Sequence, residues 1–171
     1  MKLELTSGLL GKQKYVIMAA MESDFDSIAQ IHAASFPRGW TKLEFSKLAA
    51  KSTNTLLVAR AVGKPNAPIA GFNLIQQTID EAEILSIAVD PKHRRKGLAA
   101  AMMREIILRL QGDRLKALLL EVDGTNVAAV MLYEKLGFKA IGSRPGYYKK
   151  TGEGDETQRA TALVMRLELV S

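Results

Sequence analysis

Two groups of residues in this chain have the types and spacing to do chemistry. The first is Lys92-His93-Arg94-Arg95-Lys96-Gly97-Leu98-Ala99, which lies between an apolar run, Ile84 to Val89, and an Ala-, Met- and Leu-rich stretch reaching Gln111. The apolar run reads as a buried strand, stopped at Asp90-Pro91 because proline cannot continue a ladder and restricts the residue before it. Leu98, Ala101, Met102, Ile106 and Leu110 then recur at helical spacing. A helix entrance holds amide N–H groups without intrahelical partners and the positive end of the macrodipole. A glycine-bearing loop there can wrap a phosphate or pyrophosphate. The other reading is a solvated charge run, but basic side chains at a helix N-terminus oppose the dipole unless an anion joins them. The spacing matches neither the Walker loop nor the three-glycine dinucleotide fingerprint.

The second group is Glu121, Asn126 and Tyr133. Glu121 ends the apolar run Ala117 to Val122, at the sheet edge where the basic loop also lies. It reads either as a solvated strand end or as a base facing a cleft. Tyr133 follows on a short helix beside Ala129, Leu132 and Leu136, as a half-buried packing residue or as a proton donor. Asn126 reads by default as that helix's cap. Trp40 sits at a hinge between two predicted helices, either packing or bordering a groove. His32 lies on a mostly apolar helix face and reads as a packing residue.

The elements that must position these residues follow from pattern. Tyr15 to Ala20 reads as a strand, and Ser23-x-x-Asp26 as the cap of a helix reaching about Phe36, with Phe25, Ile28, Ala29 and His32 inward. Pro37-Arg38-Gly39 breaks it, and Thr41 caps a second helix through Ala50 with Leu43, Phe45 and Leu48 apolar. Thr55 to Val62 and Ile69 to Ile79 form a hairpin across the turn-rich segment Gly63 to Pro68. A strand, helix and strand from Glu83 to Val122 imply a right-handed parallel crossover. A helix from Val127 to Leu136 ends at Gly137. Strands follow at Lys139 to Ser143 and Thr161 to Leu169, separated by the Gly/Pro-rich Arg144 to Tyr148 and a polar loop from Lys149 to Arg159.

With 171 residues, the chain has the length of one domain able to bury its own core. The absence of cysteine removes disulfides, thiolate zinc sites and cysteine nucleophiles, and two histidines make a histidine metal site improbable. No metal is expected, and the default compartment is a reducing cytoplasm. No apolar run has bilayer length, and residues 1–13 read as a flexible extension too weakly apolar for a signal peptide. The net charge of +6 favours an anionic partner: a phosphorylated cofactor, a nucleic-acid-rich assembly or an acidic surface.

Arg94-x-x-Gly97-x-Ala99, in its strand-to-helix setting, resembles the signature loop of the GNAT superfamily of N-acetyltransferases. Leu120-Glu121-Val122-x-x-x-Asn126-x-x-Ala129-x-x-Leu132-Tyr133-Glu134-Lys135-Leu136-Gly137-Phe138 resembles that superfamily's second block. The spacing of Glu121, Asn126 and Tyr133, with Arg144-x-x-Tyr147-Tyr148, is similar to the ribosomal-protein-alanine N-acetyltransferases of the RimI type. The resemblance implies a single α/β (α+β) domain over residues 14–171: a mixed, mostly antiparallel sheet of about seven strands, flanked by about four helices, with a parallel β-α-β core. It implies acetyl-coenzyme A as co-substrate, its pyrophosphate held by the amides of Arg94, Arg95, Lys96, Gly97, Leu98 and Ala99. It implies pantetheine pairing with Ile87, Ala88 and Val89, and a cofactor contact at Asn126. Glu121 becomes the base and Tyr133 the acid, with Trp40 and Tyr147 bordering the acceptor and Glu83 the rival base.

Amine acetylation suits these residues. Deprotonation at pH 7 costs about 1.4 kcal/mol for an α-amino group but about 4.6 kcal/mol for a lysine, so an N-terminus asks less of one carboxylate. With no cysteine to acylate, direct transfer in a ternary complex is expected. The favoured acceptor is the N-terminus of a ribosomal protein, with Glu22, Asp24 and Glu44 available to line its path. A small amine on the same fold is the first alternative, and a non-enzymatic ribosome- or RNA-binding module the second. The module lacks stacking aromatics within the basic run, and no direct nucleic-acid or membrane binding is expected. A monomer or weak dimer is expected.

Overall fold

A computed structural model describes residues 15–62, 67–148 and 160–169. Both the expected extension at residues 1–13 and the polar loop from Lys149 to Arg159 lie outside the described residues. Seven strands form one sheet: β1 (Tyr15–Ala19), β2 (Asn54–Ala61), β3 (Ile69–Gln77), β4 (Glu81–Val89), β5 (Ala117–Asp123), β6 (Lys139–Tyr148) and β7 (Ala160–Glu168). Their spatial order is β1-β2-β3-β4-β5-β7-β6. Only β4 and β5 run parallel, joined by helix α3 (Leu98–Gly112), as the strand-helix-strand spacing requires.

Helices cover both faces. The α3 side packs Met102, Met103, Ile106 and Leu110 against Ile84, Val89, Leu118 and Leu120, joined by Tyr133 and Phe138 from around α4 (Val127–Lys135). On the other side, α1 (Phe25–Ala33) and α2 (Lys42–Ala49) bury Phe25, Ile28, Ile31 and Phe45 against Leu56, Val58, Phe72 and Leu74. With helices on both faces, β3 is buried over seven successive residues. This is why its sequence is almost continuously apolar rather than alternating.

Local boundaries depart from pattern where tertiary partners intervene. Ser23 and Asp26 do not cap α1. Asp24 instead accepts from the Met21 amide at 2.9 Å and is drawn inward by the Arg60 guanidinium of β2. Helix α1 ends at Ala33, three residues short of Phe36, closing with tight turns in which the Ser35 and Phe36 amides both donate to the His32 carbonyl. Thr41 caps α2 as expected, its hydroxyl accepting from the Glu44 amide at 3.2 Å while Glu44 reaches back to the Thr41 amide at 2.8 Å. Of the apolar residues of α2, Phe45 is fully buried whereas Leu43 is 61% exposed. Strand β6 runs through Arg144 to Tyr148 rather than stopping at Ser143. Pro145 and Gly146 fall within a register shift on this edge strand, where a missing amide breaks no second ladder.

Candidate active site

Strands β4 and β5 pair over only four positions, from Glu81↔Ala117 to Ile84↔Leu120, although β4 continues to Val89 and β5 to Asp123. At the point where pairing stops, the β3–β4 register shifts. Leu74 faces Ser86 and Ile75 faces Ile84, which leaves Leu85 as an extra residue on β4. A bulge of this kind bends its strand and sharpens the local twist. Beyond it the β5-facing edge of Leu85 to Val89 has no strand partner among the described residues, so backbone from Ile87 to Val89, apart from the Val89 carbonyl that the Arg94 side chain occupies, is open to an extended amide-bearing chain.

The loop at the end of β4 is held from within. Pro91–His93 forms a short 3-10 turn after Asp90, whose carboxylate accepts from the Lys92 amide at 2.8 Å. Arg95 (φ 59°) and Gly97 (φ 73°) then take left-handed conformations that turn the chain into α3. For Gly97 this is the reason for glycine, since a Cβ there meets the following carbonyl. The helical ladder begins with the Ala101 amide on the Gly97 carbonyl, and the amides from Arg95 to Ala99 have no acceptor among the described residues. They form the donor set that an anion needs at a helix start. The Arg94 side chain does not join them. Its Nε donates to the Val89 carbonyl at 3.0 Å and its Nη2 to Ser35 Oγ at 3.0 Å. His93 is likewise engaged, with Nδ1 2.8 Å from the Tyr15 hydroxyl, and Lys96 Nζ donates to the Lys92 carbonyl at 3.1 Å.

Glu121 lies between Leu120 and Val122, both buried on the α3 side, so by strand alternation it faces the opposite surface. Glu83, next to the inward Ile84, faces that same surface from β4. Arg144 of β6 pairs with Glu121, Nε to Oε1 at 3.0 Å, while the Glu121 side chain is 19% exposed. Glu83 is exposed, yet partial burial of its carboxyl and, secondarily, the Glu121 charge hold its pKa above the ordinary glutamate value against the pull of Arg144. Tyr133 packs its ring on the α3 side, 5.8 Å from that of Phe138, and burial pushes its pKa up to about 12. The hydroxyl therefore stays protonated across the neutral range. Glu121 and Tyr133 lie on opposite faces of the sheet, and the opening between β4 and β5 is where those faces communicate.

Asn126 caps α4, accepting from the Ala129 amide at 3.2 Å, which leaves its NH2 group as a donor. Trp40 is half-buried and stacks on His32 with ring centroids 4.7 Å apart. Its amide donates to His32 Nδ1 at 3.0 Å. His32 is the packing residue expected, and burial pulls its pKa down to about 4, so it is neutral. The side chain of Tyr147 lies outside the described residues. Two acids expected along an acceptor path are engaged elsewhere: Asp24 is buried against Arg60, and Glu44 holds the α2 cap and Arg38. The β4 bulge and the Arg144–Glu121 and Arg94–Ser35 pairs were not legible in sequence. Each depends on register or on contacts between segments far apart in the chain.

Residues 25–138 match the Acetyltransferase (GNAT) family. A [ribosomal protein bS18]-alanine N-acetyltransferase of Escherichia coli (strain K12) is 38% identical over 104 residues, covering 61% of this chain and 67% of the relative. The protein of the same name from Haemophilus ducreyi is 29% identical over 154 residues, covering 90% of this chain and all of the relative. The crystal structure of the ribosomal-protein-S18-alanine N-acetyltransferase from Escherichia coli superposes with a TM-score of 0.80 at 28% identity, covering 92% of this chain and 95% of that one.

Proposed function

The chain belongs to the GNAT family and is an N-acetyltransferase, and from that premise we propose that it moves the acetyl group of acetyl-coenzyme A to the N-terminal α-amino group of a ribosomal protein, bS18, in the cytoplasm. The observation that carries the reading is the opening between β4 and β5, with donor-rich amides at one end and Glu121 and Tyr133 on its two sides. The names of the relatives support the acceptor. The absence of a helix long and apolar enough to cross a membrane among the described residues accords with an acceptor met in solution.

The residues fit the co-substrate. Free amides from Arg95 to Ala99 suit a pyrophosphate, and the open edge at Ile87 to Val89 suits the two amides of a pantetheine arm. Lys92 and Arg95 add exposed positive charge, and the Asn126 NH2 group adds a donor at the start of α4. When bound, acetyl-coenzyme A supplies an activated thioester. Glu121 accepts the proton of the attacking amine, directly or through a water, with Arg144 holding the carboxylate in place. Tyr133, kept protonated by burial, gives its proton to the leaving thiolate. Trp40 and Tyr147 border the acceptor's approach.

A second base is favoured by one observation: the pKa of Glu83 is raised, which brings a carboxylate closer to the value suited to general-base work near neutral pH. The deciding experiment for the reaction is mass spectrometry of unacetylated bS18 and a panel of small amines after incubation with the chain and acetyl-coenzyme A. One acetyl group at the bS18 N-terminus is expected. Modification of the small amines alone would move the acceptor assignment to them and leave the chemistry standing.

A further inference from the structure

The Arg94 guanidinium, in the middle of the basic loop, turns away from the amides around it. The edge that carries Nε and Nη2 faces the protein, on the Val89 carbonyl and Ser35 Oγ, with the Ala34 carbonyl 3.5 Å from Nη2. Val89 closes β4, whereas Ala34 and Ser35 close α1. One side chain therefore ties the loop to the far end of a helix about sixty residues earlier in the chain.

That helix end is itself a hub. Ser35 Oγ accepts from Arg94 and donates to the Ile31 carbonyl at 2.7 Å. One turn back, His32 accepts from the Trp40 amide and stacks beneath the Trp40 ring, its Nδ1 lone pair available because the buried ring is neutral. Gly39 lies so close to Ala33 that a Cβ on it would stand 2.9 Å from the alanine Cβ, so the segment between α1 and α2 rests directly on the helix. Loop, last turn of α1 and Trp40 thus form one continuous set of contacts.

We propose that Arg94 and Ser35 are positioning residues that couple the two halves of the site: an anion seated on the loop amides steadies the end of α1 and, through it, Trp40 on the acceptor side. Arg94 acts here through Ser35 and not as a ligand of the phosphate. The inference rests on the loop being the coenzyme A cradle. Coupling of this kind is reciprocal, so an acceptor that steadies Trp40 also favours the cofactor-ready loop.

The test uses free coenzyme A and hydrogen exchange of the whole chain, with wild type, Ser35→Ala and Ser35→Thr compared. In wild type, coenzyme A slows exchange both across the loop and across residues 34–40, the latter by about fivefold, the scale of one hydrogen bond. Ser35→Ala abolishes the ligand-dependent slowing at 34–40 while coenzyme A affinity stays within about twofold. Ser35→Thr, which keeps a hydroxyl, restores it. A purely structural Ser35 would instead raise exchange equally with and without ligand. That result, or protection of the loop without protection of 34–40 in wild type, overturns the coupling. Failure of wild type to bind coenzyme A at all removes the cradle reading itself and the coupling with it, and the binding titration alone identifies that case.

Discussion

The two sides of the site are made of different material. On the proposed cofactor side the groups on offer are backbone: the free amides from Arg95 to Ala99 and the edge of β4 beyond its pairing with β5. On the proposed acceptor side they are side chains: Glu83 and Glu121, with Arg144 paired to Glu121, and Trp40 on its histidine. A backbone site is indifferent to most side chains but depends on the conformations that aim its amides. A side-chain site rests on the identity of single atoms. The first half should therefore fail through conformation and the second through chemistry.

The largest expected effect is on the chemical side. Glu121→Gln lowers kcat by about 10²- to 10⁴-fold with coenzyme A affinity unchanged, as loss of a general base does. Tyr133→Phe gives a smaller loss of kcat, again without a change in cofactor affinity. Steady-state kinetics beside a binding titration separates the two quantities. If Glu83→Gln costs more than Glu121→Gln, the base is Glu83. The acid limb of its kcat/KM profile would then lie above the ordinary glutamate range, because activity rises with pH as the carboxylate loses its proton and its folded-state pKa is raised.

Next comes the conformational side. Gly97→Val forces a β-branched residue to φ 73°, a strain of about 1–3 kcal/mol. Coenzyme A affinity should fall by about tenfold or more, because the amides lose their aim. Lys92→Ala removes only an exposed charge and should weaken binding a few-fold, by an amount that vanishes in high salt. Calorimetric titration at two ionic strengths measures both, and equal losses would mean that this half also reads side chains.

A separate effect, outside the site, concerns stability. His32 is neutral and buried, with a folded pKa of about 4 against an ordinary value of 6.5. Between these values the unfolded chain binds a proton that the folded one does not, so stability declines as pH falls from about 6.5 and levels off below about 4. The total is about 3 kcal/mol. Urea denaturation from pH 7 to 4 should show this slope and lose it in His32→Phe.

Much of this arrangement was legible in sequence, for reasons that differ by region. The β4–loop–α3 unit could be read because its signals are local: an apolar run, a proline stop, a glycine needed at a left-handed turn and helical periodicity. The Thr41–Glu44 cap was readable for the same reason. What sequence left obscure is set by register and distance. Nothing around Leu85 signals a bulge, which arises from how β3 pairs with β4. Nothing around Arg94 signals that its side chain bonds Ser35, nor around Asp24 that Arg60 claims it from the α1 cap. Residues 144–148 carry turn-forming types, but an edge position let the strand continue through them.

Among the described residues, four ladder pairs join the β1–β4 half of the sheet to the β5–β7–β6 half. Mechanically the sheet is two plates riveted at one corner, and the rivets are concentrated there. Arg166 of β7 reaches across β5 to Glu81 of β4 at 2.7 Å, and Lys116 bonds Asp80 through both backbone and side chain. The opposite corner gapes. A chain that lay in that opening and bonded to the open edge of β4 would act as a temporary strand along an unfinished seam, so that binding of the proposed ligand would complete the sheet.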